Sequence, residues 1–142
     1  MRKSLDIDIV WGGYYATIPA EGGEISVFRL LDFNRDAYHA ALFTDKFSTV
    51  PELEEIAAIE PFIGHAPIDT RALLNKDELR LIGGKPLTRD DLYGYMCYLE
   101  GHEVPQEEMH ELAEQLIDFS RQPPLSLHLE IVDEELVITE PE

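Results

Sequence analysis

Alternation of apolar and polar residues with a period of two opens and closes this chain, and it restricts the fold more than any other feature. Leu5, Ile7, Ile9 and Trp11 alternate with Asp6 and Asp8 near the start, while Leu125, Leu127, Leu129 and Ile131 alternate with Ser126, His128 and Glu130 near the end. Successive side chains of a strand point to opposite faces, so each run predicts a strand with one buried face. Gly12-Gly13 reads as a tight hairpin turn, because glycine accepts positive φ without steric cost. Tyr14 to Pro19 then returns antiparallel, and a turn at Glu21-Gly22-Gly23 leads into Ile25 to Leu31, completing an N-terminal three-stranded meander. Asp133-Glu134-Glu135 separates the closing run from Leu136 to Thr139, which predicts a C-terminal hairpin.

Between these ends the signals are helical. Asn34 stands as a cap before Arg35 to Phe43, and Thr49 with Glu52 has capping-box spacing for a helix from Val50 to Ile59. Pro61 to Pro67 reads as a loop, Ile68 to Leu74 as a short helix, and Leu79 to Ile82 as a short strand ahead of Gly83-Gly84. Thr88 to Asp91 repeats the capping-box pattern before Leu92, Tyr95, Met96 and Leu99 recur at helical spacing, and Gly101 supplies the stop. Pro105 opens a further helix whose first turn carries Glu107 and Glu108, where the helix dipole favours negative charge. Its apolar face is Met109, Leu112, Ala113, Leu116 and Ile117, and Pro123-Pro124 ends it. The prediction is one α+β domain over residues 1–142, an antiparallel or mixed sheet with helices packed on one face. No repeat or linker divides it.

Charge narrows the range of partners. The chain carries 29 acidic and 11 basic residues, a formal charge of −18. Thirteen of those acids and a single base, Arg121, fall in residues 100–142, so two thirds of the net charge lies there. Direct binding to nucleic-acid phosphates or anionic lipid is disfavoured, and a basic protein surface is the partner that charge predicts. No apolar run approaches the roughly 20 residues of a membrane span. Met1-Arg2-Lys3-Ser4 passes straight into alternation where an export signal needs a continuous apolar stretch, and Cys97 is the sole cysteine. A cytoplasmic setting is the expectation.

Glu107, Glu111, Glu114 and Asp118 follow steps of four, three and four, and so form one stripe nearly opposite the apolar face of their helix. Glu130, Asp133, Glu134, Glu135, Glu140 and Glu142 extend the acidity beyond it. Aromatic rings anchor interfaces, and Trp11 beside the first turn and Tyr93, which departs from the apolar stripe of its helix, are the candidates. The expected function is a non-catalytic interaction module of inhibitor, immunity or adaptor type, its acidic C-terminal third engaging a basic partner. The alternative is a small enzyme or small-molecule binder in which His65, in a loop, acts as base with Asp69 orienting it.

Other patterns lead to no chemistry. Asp32, Asn34 and Asp36 have the oxygen spacing that begins a calcium loop, but Ala37 replaces the required glycine and Phe43 the bidentate carboxylate. His39, His65, His102, His110 and His128 lack the paired spacing of zinc ligands, so neither a metal nor a cofactor is expected. Cys97 reads as a core or boundary residue, and Gly83-Gly84-Lys85 as a turn.

Overall fold

The computed structural model describes residues 3–75 and 77–140. Met1, Arg2 and Glu142, named above, lie outside the described residues. Among the described residues, eight strands and three α-helices form three layers. Strands β1 (Ser4–Ile9), β7 (Leu125–Val132) and β8 (Glu135–Thr139) make a three-stranded sheet in the order β1-β7-β8. Strands β2 (Gly13–Ile18), β3 (Ser26–Phe33), β4 (Ala37–Leu42), β5 (Ile63–Asp69) and β6 (Glu78–Gly84) make a five-stranded sheet in the order β5-β4-β3-β2-β6. Every pairing is antiparallel.

The alternation read in the sequence explains the layering. Ile9, Leu127 and Leu129 of the small sheet pack on Tyr15, Phe28, Leu30 and Tyr38 of the large one. The opposite face of the large sheet carries the next residues in register, Tyr14, Val27, Leu31 and Ala41, and all three helices cover it. Helix α1 (Leu53–Ala57) contributes Ile56 there, while α2 (Tyr93–Gly101) contributes Tyr95 and α3 (Gln106–Phe119) contributes Ala113 and Leu116. The α+β class and the packing of helices on one face of a sheet thus hold. Among the described residues no helix is long and apolar enough to cross a membrane.

The expected meander is corrected. Strand β1 does not pair with β2; it leaves to pair with β7, register Ile7↔Leu127. The Tyr15 hydroxyl donates to Asp8 O at 2.6 Å and accepts from Val10 N at 2.9 Å, so it occupies backbone groups that a β1–β2 ladder would use. Gly12, at φ +82°, turns the chain from one sheet into the other, and a Cβ there would lie 2.3 Å from Lys85 O.

Two middle segments also differ from expectation. Asn34 caps no helix: its Oδ1 accepts from Ala37 N at 3.0 Å, closing a hairpin turn with Arg35 at φ +76°, and β4 follows. A central strand buried on both faces loses the alternation that would identify it. Pro61 to Pro67, expected as a loop, holds the start of β5, and Pro67 is tolerated because β5 is an edge strand. Elsewhere Thr88 N donates to Asp91 Oδ2 at 2.9 Å and Asp91 N to Thr88 Oγ1 at 3.2 Å, the reciprocal pair expected ahead of α2. The Thr49–Glu52 pair does not cap α1, which is shorter than expected.

Candidate functional site

Sequence placed candidate chemistry on α3, on Tyr93 and Trp11, and on His65 with Asp69; folding distributes these over three regions.

On α3 the four carboxylates of Glu107, Glu111, Glu114 and Asp118 are all exposed. Met109, Ala113 and Leu116 are buried on the other side, so the helix presents one acidic face to solvent. Glu114 alone of the four takes a cation among the described residues, the guanidinium of Arg89, which also reaches His110 Nδ1 at 3.2 Å. Arg89 sits between Thr88 and Asp90, and both line a neighbouring cleft. Arg89 therefore links Glu114, on the acidic face of α3, to the segment that forms part of the cleft rim.

The cleft encloses about 750 Å³. Tyr14, Leu31, Ala41 and Phe43 form its floor from the helix-facing side of the large sheet, and Glu60, Asp90 and Asp91 stand among its walls. Arg29 lies buried beneath it with its charge satisfied. Its Nε donates to Gly12 O and its Nη2 to Lys85 O, each at 3.1 Å, and its Nη1 meets Asp91 Oδ1 at 3.1 Å. The guanidinium carbon stands 4.8 Å from the centre of the Tyr14 ring, which adds a cation–π contact. Tyr93, 70 % exposed, stands at the mouth. Phe62, 74 % exposed, and Ile63 lie between Pro61 and Gly64, which both line the cleft. Gly64 and Gly94 hold these rims together: a Cβ on Gly94 would come within 2.9 Å of the Gly64 carbonyl carbon.

The third region lies under the far part of α2. A bulge in β3 between Leu30 and Asp32 brings Asp32 to the helix side of the sheet. Its Oδ2 accepts from the Tyr95 hydroxyl at 2.8 Å, and its Oδ1 from Trp11 Nε1 at 3.2 Å and Phe33 N at 2.8 Å. Burial, reinforced by the Asp32 charge, raises the Tyr95 hydroxyl pKa far above its ordinary value.

Beside Tyr95, His39 Nδ1 and His65 Nε2 are 2.7 Å apart. The two rings are inclined by only 17° with centroids 4.9 Å apart, the separation given by a hydrogen bond plus two ring radii. They lie edge to edge, and the Tyr95 ring covers both. Asn34 Nδ2 donates to His39 Nε2 at 3.4 Å. His39 then carries its proton on Nδ1 and donates to His65 Nε2, leaving the proton of His65 on Nδ1.

Burial, and secondarily the neighbouring His39, pull His65 down to about 4. Burial also lowers His39, with Asp32 opposing. Both rings are neutral at neutral pH. The unfolded chain binds protons more readily between about pH 6.5 and pH 4, so the pair's contribution to stability is complete above that window and is lost as pH falls through it. An NMR titration of the His65 ring is expected to show a midpoint near 4, and one near 6.5 would contradict the burial described.

His65 and Asp69 are not brought together. Asp69 lies four residues on in the same strand, roughly 13 Å away, and its Oδ1 accepts from Arg71 N at 2.9 Å, capping a 3-10 helix at Thr70–Leu74. Trp11 is turned inward, half-buried, its ring 5.3 Å from that of Phe119. Tyr93 is exposed, and so is Cys97, contrary to the core or boundary position expected for it. His39 was missed as a partner because its segment reads as helical in sequence. No protein-family model, curated protein or solved structure matches the chain.

Proposed function

We propose that this chain is a non-catalytic interaction module, of inhibitor, immunity or adaptor type, that engages a basic protein surface through the acidic face of α3 and the adjoining cleft rim. The observation that supports it most is the exposed row Glu107, Glu111, Glu114 and Asp118, only one of which has a cation partner among the described residues. Carboxylates held in a row by a packed helix attract Lys and Arg side chains and steer encounter, and the bound chain then occludes the surface it covers. Tyr93 is the apolar anchor beside that face, since Trp11 is engaged with Asp32 and Phe119. No cofactor is required. An exposed free thiol at Cys97 suits the reducing cytoplasm.

The alternative, a small enzyme or small-molecule binder built on His65, has less support. His65 is paired with His39 rather than Asp69, and neither histidine lines the cleft.

The test compares the affinity of a lysine- and arginine-rich peptide for wild type, for the E107Q/E111Q/E114Q/D118N variant and for a control with E21Q/E24Q/D36N/D45N. Both variants lose four exposed charges, so they share one net charge. Four surface pairs at a few tenths of a kcal/mol each predict about a tenfold loss for the α3 variant alone, fading as salt rises. Equal loss in the two variants would show that only total charge matters and would remove the proposed face.

A further inference from the structure

We infer that the cleft receives a single apolar side chain, leucine, methionine or aromatic, carried on a lysine- and arginine-bearing segment of the partner; this rests on the proposed basic-partner function. Its floor is apolar, from Leu31, Ala41 and Phe43, while its walls carry the carboxylates of Glu60, Asp90 and Asp91. Of the two basic residues that line the cleft, Arg29 is buried with Asp91 and two carbonyl oxygens as partners, and Lys85 is exposed. An anionic ligand would meet Lys85 but would approach it past the three carboxylates, and could reach Arg29 only by displacing Asp91. A segment with cations flanking an apolar residue meets complementary chemistry at each position.

The rim supports the same occupant. Tyr93, which lines the opening, is 70 % exposed, and Phe62, beside the lining residue Pro61, is 74 % exposed. They are bound to one frame by the close contact of Gly64 with Gly94, so both rings are available to flank an entering side chain without rearrangement of the backbone. The volume of about 750 Å³ is more than one side chain fills and leaves room for its neighbouring backbone. The acidic face of α3, reached across Arg89, would hold the cations that follow in the same segment.

The experiment uses two labelled peptides of equal length and charge, built from lysine and arginine around one central residue, tryptophan in one and alanine in the other. Each is titrated against wild type, the F62S/Y93S variant and the E107Q/E111Q/E114Q/D118N variant. Phe62 and Tyr93 are exposed, so F62S/Y93S is expected to fold as wild type. For wild type the tryptophan peptide is expected to bind about tenfold or more tightly than the alanine peptide, the preference that burying one large apolar side chain supplies. That ratio should fall to about one in F62S/Y93S and persist in the α3 variant, which should weaken both peptides together. A ratio near one for wild type, or a ratio unchanged in F62S/Y93S, would overturn the inference. Sedimentation showing a wild-type dimer that F62S/Y93S abolishes would also overturn it, since the occupant would be a second copy. A preserved ratio with no weakening in the α3 variant would instead remove the proposed role of α3 and leave the cleft.

Discussion

Replacing Leu116 with Ala is expected to lower the free energy of unfolding by about 2 to 5 kcal/mol. Leu116 has no exposed surface and packs in a cluster with Leu31, Ala41, Leu87, Leu92 and Tyr95, drawn from the sheet, from the segment before α2, and from α2 itself. Truncation would open a cavity at the point where α3 is fastened to the rest of the fold. A domain of this kind has in total about 5 to 15 kcal/mol, so the change is a large share of it. Leu112, half-buried on the same helix, has less to lose. Urea unfolding should show a lower midpoint with an unchanged slope, and a shift under about 1 kcal/mol would mean that α3 is not packed as described.

Asp32→Ala is the second large effect, with an expected loss of about 3 kcal/mol. One carboxylate takes three donors, the Tyr95 hydroxyl, Trp11 Nε1 and Phe33 N, and so ties β3 to α2 and to the segment that joins the two sheets. Without it the buried Tyr95 hydroxyl and the indole N–H lose their partner, and an unmet buried donor is more damaging than the net worth of the bond. Tyr95→Phe removes one donor and leaves the carboxylate two, so it should cost only about 1 to 2 kcal/mol. The double variant measured by urea unfolding should show that the two losses are not additive, because they share one bond. Full additivity would contradict the contact.

What could be read from the sequence was local. Strands β1, β7 and β8 showed themselves by alternation because one face of their sheet is buried and the other wet. The acidic row of α3 followed from helical spacing alone, and the Thr88–Asp91 pair from four consecutive residues. Strand β4 was hidden because Tyr38 and Ala40 face one layer while His39 and Ala41 face the other, leaving no polar side to mark the period. Strand β5 was hidden by its proline. The departure of β1 from β2 depends on the Tyr15 hydroxyl meeting Asp8 and Val10, a tertiary contact with no periodic signature.

The site was less legible than the fold for the same reason. His39 and His65 meet across adjacent strands whose register shifts at a bulge, so a separation of 26 residues gave no sign of a bond between them. The cleft draws Tyr14, Arg29, Ala41, Glu60 and Asp91 from distant parts of the chain. Its acidic rim and the α3 stripe become one surface only through the reach of Arg89 to Glu114.

That continuity is the centre of the functional account, and amide chemical-shift mapping with the tryptophan-bearing basic peptide tests it most directly. The account predicts that the largest shifts fall together on Glu107, Glu111 and Asp118 of α3 and on Phe62, Tyr93 and Gly94 around the cleft. Shifts centred instead on Asp6 and Asp8 of β1, or on Asp133 to Glu135 of the closing hairpin, would contradict it.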